Sequence, residues 1–114
     1  MRSLHLEMSE SSTGSAIFVK LIGEFDLADE RLFAEAVTHG VAQDGRAAVV
    51  LECSELTFID SSGLHAFLAA KGQAEAAGAS FVLVAPSPAV RKILEVAGLI
   101  DHFTVARELH GLDH

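Results

Sequence analysis

Two short stretches carry more oxygen-bearing side chains than a turn requires: Asp60-Ser61-Ser62-Gly63 and Gly23-Glu24-Phe25-Asp26. A carboxylate followed by two hydroxyls suits three kinds of chemistry. It caps a helix, because Asp and Ser side chains accept hydrogen bonds from the orphan N–H groups of a first turn. It supplies a nucleophile, or it accepts a phosphoryl group. Capping uses one side chain and leaves Gly63 unexplained, since glycine inside a helix costs about 1 kcal/mol relative to alanine. Gly63 is expected where another protein's backbone comes close. The nucleophile reading is weak: Ser61 does not lie in Gly-x-Ser-x-Gly, and no acid–His pair stands at a fitting offset. His65, four residues on, reads as a surface histidine. There is no Gly-x-x-x-x-Gly-Lys-Ser/Thr element, which excludes a P-loop.

The phosphoryl-acceptor reading has a physical consequence. Phosphate adds about −1.5 to −2 charges at neutral pH. At a helix N-terminus, free N–H groups and the backbone dipole accept that charge, so the scaffold survives. Beside Asp60 and near Asp26, however, the surface becomes intensely negative. A partner docked on Ser61 meets bulk and repulsion, and losing about 3 kcal/mol lowers affinity more than a hundredfold.

The remaining chemistry-bearing residues offer less. None of His5, His39, His65, His102, His110 and His114 joins a Cys or second His at zinc-site spacing within one element, so no metal and no cofactor is expected. Cys53 is the sole cysteine and reads as a small buried strand residue, consistent with a reducing compartment. Sixteen acidic residues against eight basic ones give a net charge of −8, which repels nucleic-acid phosphates and anionic membrane surfaces. Met1 to Glu10 has no apolar signal core, and no apolar run is long enough to span a bilayer. A soluble, cytoplasmic protein is expected, with no direct nucleic-acid or membrane partner.

The elements that position these residues follow from periodicity. Leu4, Leu6 and Met8 alternate with polar residues, and Ala16 to Ile22 is rich in Ile, Phe and Val, so the two predict a hairpin about a polar turn. Asp26 stands at a helix N-cap, with Leu32, Phe33, Ala36 and Val37 as the apolar stripe and Gly40 or Asp44-Gly45 as the stop. Ala47 to Glu52 predicts a strand covered on both faces, extended by Leu56 to Ile59. Helical spacing resumes at Leu64 and ends near Gly78. Ser80 to Ala85 predicts a strand, Ser87-Pro88 opens a helix that Gly98 ends, and His102 to Ala106 predicts a short last strand. His110 to His114 reads as a frayed tail. Alternating strands and helices demand parallel pairing, and right-handed crossovers stepping one way put the helices on one face. The expected fold is α/β: a mixed, mostly parallel sheet of four to five strands with helices mainly on one side. Residues 1–114 form one domain, with its core at about 4–105. In such sheets, functional groups gather at the carboxyl ends of neighbouring strands, which is where both polar stretches fall.

Taken in order, Gly23-Glu24-Phe25-Asp26, Leu56 to Leu64 with its Asp60-Ser61-Ser62-Gly63 centre, and Ser87-Pro88-Ala89-Val90 with Gly98-Leu99 resemble the STAS domain. The likeness is nearest to the bacterial anti-sigma factor antagonists. It covers about Leu4 to Val105, and the Asp-Ser-Ser-Gly element is its most specific part. The resemblance implies a non-enzymatic protein. It binds an anti-sigma factor that is also a serine kinase, which releases a sigma factor for transcription. Phosphorylation of Ser61 by that kinase ends binding, and a serine phosphatase reverses the modification. The kinase brings ATP and Mg²⁺. The implied contact face comprises Asp26, Asp60, Ser61, Ser62, Gly63 and Leu64. The alternative is a non-enzymatic STAS subunit of a larger assembly, such as a lipid-transport complex or signalling scaffold, in which Ser61 merely caps a helix.

Overall fold

The apolar alternation becomes a five-stranded sheet in the computed structural model, which describes residues 3–42 and 45–108. The elements run β1 (His5–Glu10), β2 (Ala16–Phe25), α1 (Glu30–Val41), β3 (Ala48–Ile59), α2 (Ser61–Ala76), β4 (Ser80–Val84), α3 (Pro88–Val96) and β5 (Thr104–Ala106). Short 3-10 turns occupy Leu27–Asp29 and Ile100–His102. The strands stand in sequence order across the sheet. Only β1 and β2 pair antiparallel among neighbours, and the other three pairings are parallel. Asp44 and the expected tail His110 to His114 lie outside the described residues.

Ile17, Val19 and Leu21 of β2, Val49, Leu51 and Cys53 of β3, and Phe81 and Leu83 of β4 point to one face. There they meet Phe33 and Val37 of α1, Phe67 and Ala74 of α2, and Val90 and Leu94 of α3 in a single buried cluster. All three helices therefore lie on the same side of the sheet, as same-direction crossovers require. The opposite face carries a smaller apolar group, Val50, Val82 and Val84 with Phe18. It also carries Lys20, whose ammonium sits 2.8 Å from the Glu55 carboxylate. α1 does not stop at Gly40 but runs through it to Val41. A Cβ there would lie 3.2 Å from Ile17 Cγ1, so glycine lets the last turn settle on β2.

β3 is one strand where the sequence suggests two pieces. Opposite Lys20–Ile22 and again opposite Gly23–Glu24, β3 carries an extra residue. Each insertion flips which side chains face inward. The buried positions accordingly run Val49, Leu51, Cys53, then Leu56 and Ile59, while Ser54, Glu55, Thr57 and Phe58 are left exposed. β4 pairs with β3 only as far as Glu52↔Val84. Beyond that point Ser87 takes over. Its N–H donates to Cys53 O at 3.2 Å and its hydroxyl to Leu56 O at 2.6 Å, while its Oγ accepts from Val90 N at 3.3 Å as the cap of α3. Ser87 is buried, so Ser87→Ala removes two buried hydrogen bonds, the one to Leu56 O and the one from Val90 N. The expected loss is about 1–3 kcal/mol of stability, read from urea unfolding. A change under about 0.5 kcal/mol would show that the bulged segment needs no such tether.

Candidate functional site

Because β2 and β3 are parallel neighbours with Phe25 paired to Ile59, the residues after them emerge side by side. Asp26 is extended (φ −128°, ψ −174°). Its Oδ1 accepts from Ala28 N at 3.0 Å, while Asp29 Oδ2 accepts from Asp26 N at 3.0 Å, a reciprocal capping box. The box opens the 3-10 turn Leu27–Asp29 rather than a long helix, and α1 follows from Glu30.

Asp60 is likewise extended and caps α2. Its Oδ1 accepts from Ser62 N at 3.0 Å, from Gly63 N at 3.2 Å and from Ser62 Oγ at 2.8 Å. α2 thus begins at Ser61, three residues before the Leu64 where apolar spacing resumes, because the cap starts the helix ahead of its buried stripe. Partial burial of the Asp60 carboxyl pushes its pKa up. The Ser62 hydroxyl and the Gly63 and Ser62 N–H groups together outweigh that effect and hold it below the usual carboxylate value. A depressed carboxyl stabilises the fold above its unfolded pKa. The cap is therefore lost as pH falls through the lowered folded value.

Ser61 stands at the first helical position, exposed, and its hydroxyl makes no hydrogen bond among the described residues. The cap is Asp60, so Ser61 is not needed to start the helix. Ser62 is half-buried and donates to Asp60. The N–H groups of Ser62 and Gly63, which a phosphate on Ser61 was expected to use, are already held by Asp60. Added negative charge at Ser61 would stand beside a carboxylate.

Of the six expected contact residues, Asp26, Asp60, Ser61 and Ser62 reach the surface, while Gly63 and Leu64 are buried. Gly63 is explained from inside the protein, not by a partner's approach. A Cβ there would fall 2.5 Å from Ile59 Cγ1 and 3.3 Å from Phe25 Cδ1. Gly63→Ala gains helix propensity but overpacks this contact, and a net loss of about 1–2 kcal/mol is expected. Thermal unfolding checks it, and an unchanged or raised midpoint would contradict it. Below lie Phe25, Phe33 and Phe67, with ring centroids 5.3, 5.7 and 6.2 Å apart, and they form the floor of the site.

Sequence reasoning missed two exposed apolar residues at this end of the sheet, Leu27 (69% exposed) and Phe58 (45%). Leu27 follows Asp26, and Phe58 pairs with Glu24 in the ladder. The bulges in β3 turn Phe58 outward, and no regular period reports a bulge. Cys53 is fully buried as expected. Burial above all, with the Glu52 charge adding and Arg91 opposing, pushes its thiol up to about 12. It is an inert thiol.

A family model described as the STAS domain matches residues 8–112. The chain belongs to the STAS domain family. Its architecture agrees with solved relatives of this STAS chain. An anti-sigma factor antagonist from Mycobacterium paratuberculosis superimposes with a TM-score of 0.81 at 25% identity, covering 94% of this chain and 88% of that one. The anti-sigma factor antagonist SpoIIAA in its unphosphorylated form gives 0.76 at 26% identity, covering 97% and 94%. The phosphorylated form of SpoIIAA from Bacillus gives 0.70 at 25% identity, covering 97% of each chain. In sequence, the anti-sigma F factor antagonist of Lysinibacillus sphaericus is 26% identical over 110 residues, 96% of this chain and 93% of that protein. Among the described residues of this STAS domain, no helix is long and apolar enough to cross a membrane.

Proposed function

We propose that this STAS domain is an anti-sigma factor antagonist acting in the cytoplasm, with residues 1–114 as one domain around a core at about 4–105. Unphosphorylated, it binds an anti-sigma factor that is also a serine kinase and so frees a sigma factor for transcription. Phosphorylated on Ser61, it lets that partner go, and a serine phosphatase restores it. The chain is a binding module and not a catalyst: it supplies an acceptor hydroxyl, while the kinase supplies ATP and Mg²⁺.

One observation carries this reading. The Ser61 hydroxyl is exposed and, among the described residues, makes no hydrogen bond at the head of α2, beside the Asp60 carboxylate. A kinase reaches it without unfolding anything, and the modification leaves the cap in place. Asp26, Asp60, Ser61 and Ser62 supply the polar part of the contact face. Leu27 and Phe58, exposed at the same end, supply the apolar anchors that protein interfaces need. Gly63 and Leu64 shape this face from beneath. The alternative, with Ser61 as a mere helix cap in a fixed assembly, is not favoured, since Asp60 does the capping.

The test is intact mass after incubation with the anti-sigma factor kinase and ATP. One phosphate is expected on the wild type and none on Ser61→Ala. An unmodified wild type, or a Ser61→Ala protein modified as fully as the wild type, would contradict the reading.

A further inference from the structure

Two serines stand next to each other at the head of α2, and the reading above requires that one of them be the acceptor. Their hydroxyls are in different states. Ser62 Oγ is half-buried and donates to Asp60 Oδ1 at 2.8 Å, the oxygen that also holds the N–H groups of Ser62 and Gly63. Ser61 is exposed, with its hydroxyl unengaged among the described residues. Resting on the proposed phosphorylation, we infer that Asp60 is a positioning residue that selects the acceptor. By keeping the Ser62 hydroxyl folded back into the helix cap, it leaves Ser61 as the one serine of this pair able to enter a kinase active site.

The chemistry of the transfer explains why a hydrogen bond matters. The acceptor oxygen attacks the γ-phosphorus of ATP. A new O–P bond forms, the bond from that phosphorus to the β–γ bridging oxygen breaks, and ADP leaves. The hydroxyl proton passes to a base on the kinase. The acceptor must therefore swing free of its own chain, bring a lone pair in line with the phosphorus and give its proton to the partner. Ser62 would first have to break its bond to Asp60 and rotate out from the helix end, which Ser61 need not do. Asp60 does not activate Ser62 by taking its proton. Two N–H groups already bond the same oxygen, and a carboxylate held in its charged form is a weak base.

Site mapping by tandem mass spectrometry after treatment with the kinase and ATP tests this. The expected result is phosphate on Ser61 in the wild type and in Asp60→Asn, whose amide oxygen still accepts from Ser62 and the two N–H groups. In Asp60→Ala the Ser62 share should rise at least about tenfold, as expected if a hydrogen bond of about 1.5 kcal/mol was withholding it. An unchanged Ser61:Ser62 ratio in Asp60→Ala would overturn the inference, even if total labelling fell, because Asp60 would then be a kinase contact and nothing more. Ser61→Ala combined with Asp60→Ala gives the same reading without competition: phosphate on Ser62 supports selection, and its absence opposes it.

A second measurement needs no kinase and separates this inference from the reading it rests on. Followed by NMR, the titration of the Asp60 carboxyl should move up in Ser62→Ala, which removes the hydroxyl donor, and stay in place in Ser61→Ala. Equal midpoints in all three proteins would sink the inference and leave the proposed function standing, whereas an unphosphorylated wild type would sink the proposed function and, with it, the inference that rests on it.

Discussion

Ser61→Asp is expected to bind the anti-sigma factor at least about tenfold more weakly than wild type, and phosphoserine at that position more than about a hundredfold more weakly, while Ser61→Ala binds as the wild type does. The ordering follows from charge and bulk. Aspartate adds one negative charge on a short stem; phosphate adds about −1.5 to −2 on a larger group. Neither is absorbed by the helix end, because Asp60 already holds the N–H groups of Ser62 and Gly63. Neither disturbs the fold, because the Ser61 hydroxyl makes no hydrogen bond among the described residues and the residue faces solvent. Unfolding free energies of the three variants should agree within about 0.5 kcal/mol. Calorimetric titration gives the affinities. The deficit of the charged forms should shrink at higher salt if repulsion across the interface causes it. A variant that lost affinity only by unfolding would contradict the argument.

Phe25→Ala is expected to cost about 3–5 kcal/mol, a large share of the roughly 5–15 kcal/mol that holds a domain of this size together. Phe25 is fully buried at the end of β2. It packs edge-on against Phe33 of α1 and Phe67 of α2 and touches the space above Gly63. Removing the ring empties the floor on which both polar stretches stand. Urea unfolding should show the loss, and partner affinity should fall with it. A cost below about 1 kcal/mol would mean that α1 and α2 collapse into the gap and that the floor is not rigid.

The order of elements, the mixed sheet and the placing of helices on one face were legible because Ile17, Val19 and Leu21 alternate, Val90, Ile93 and Leu94 repeat at helical spacing, and Ser87-Pro88 and Gly98 mark ends. The adjacency of the two polar stretches was legible too, since parallel strands deliver their carboxyl ends together. What was hidden depends on local geometry that no period encodes. The bulges in β3 carry Phe58 outward and keep Leu56 and Ile59 in, so one strand looks like two. The head of α2 is set by a side chain, Asp60, rather than by apolar spacing, so the helix begins at Ser61. Gly63 looked like room for a partner, and it is room for Ile59. A missing side chain does not say which neighbour fills its place.

The most direct measurement is a paired titration of one sample against the anti-sigma factor, first as the Ser61-phosphorylated protein and then after treatment with a serine phosphatase. The account predicts that weak or undetectable binding becomes tight binding, with circular dichroism unchanged between the two. Equal affinity before and after removal of the phosphate would contradict it.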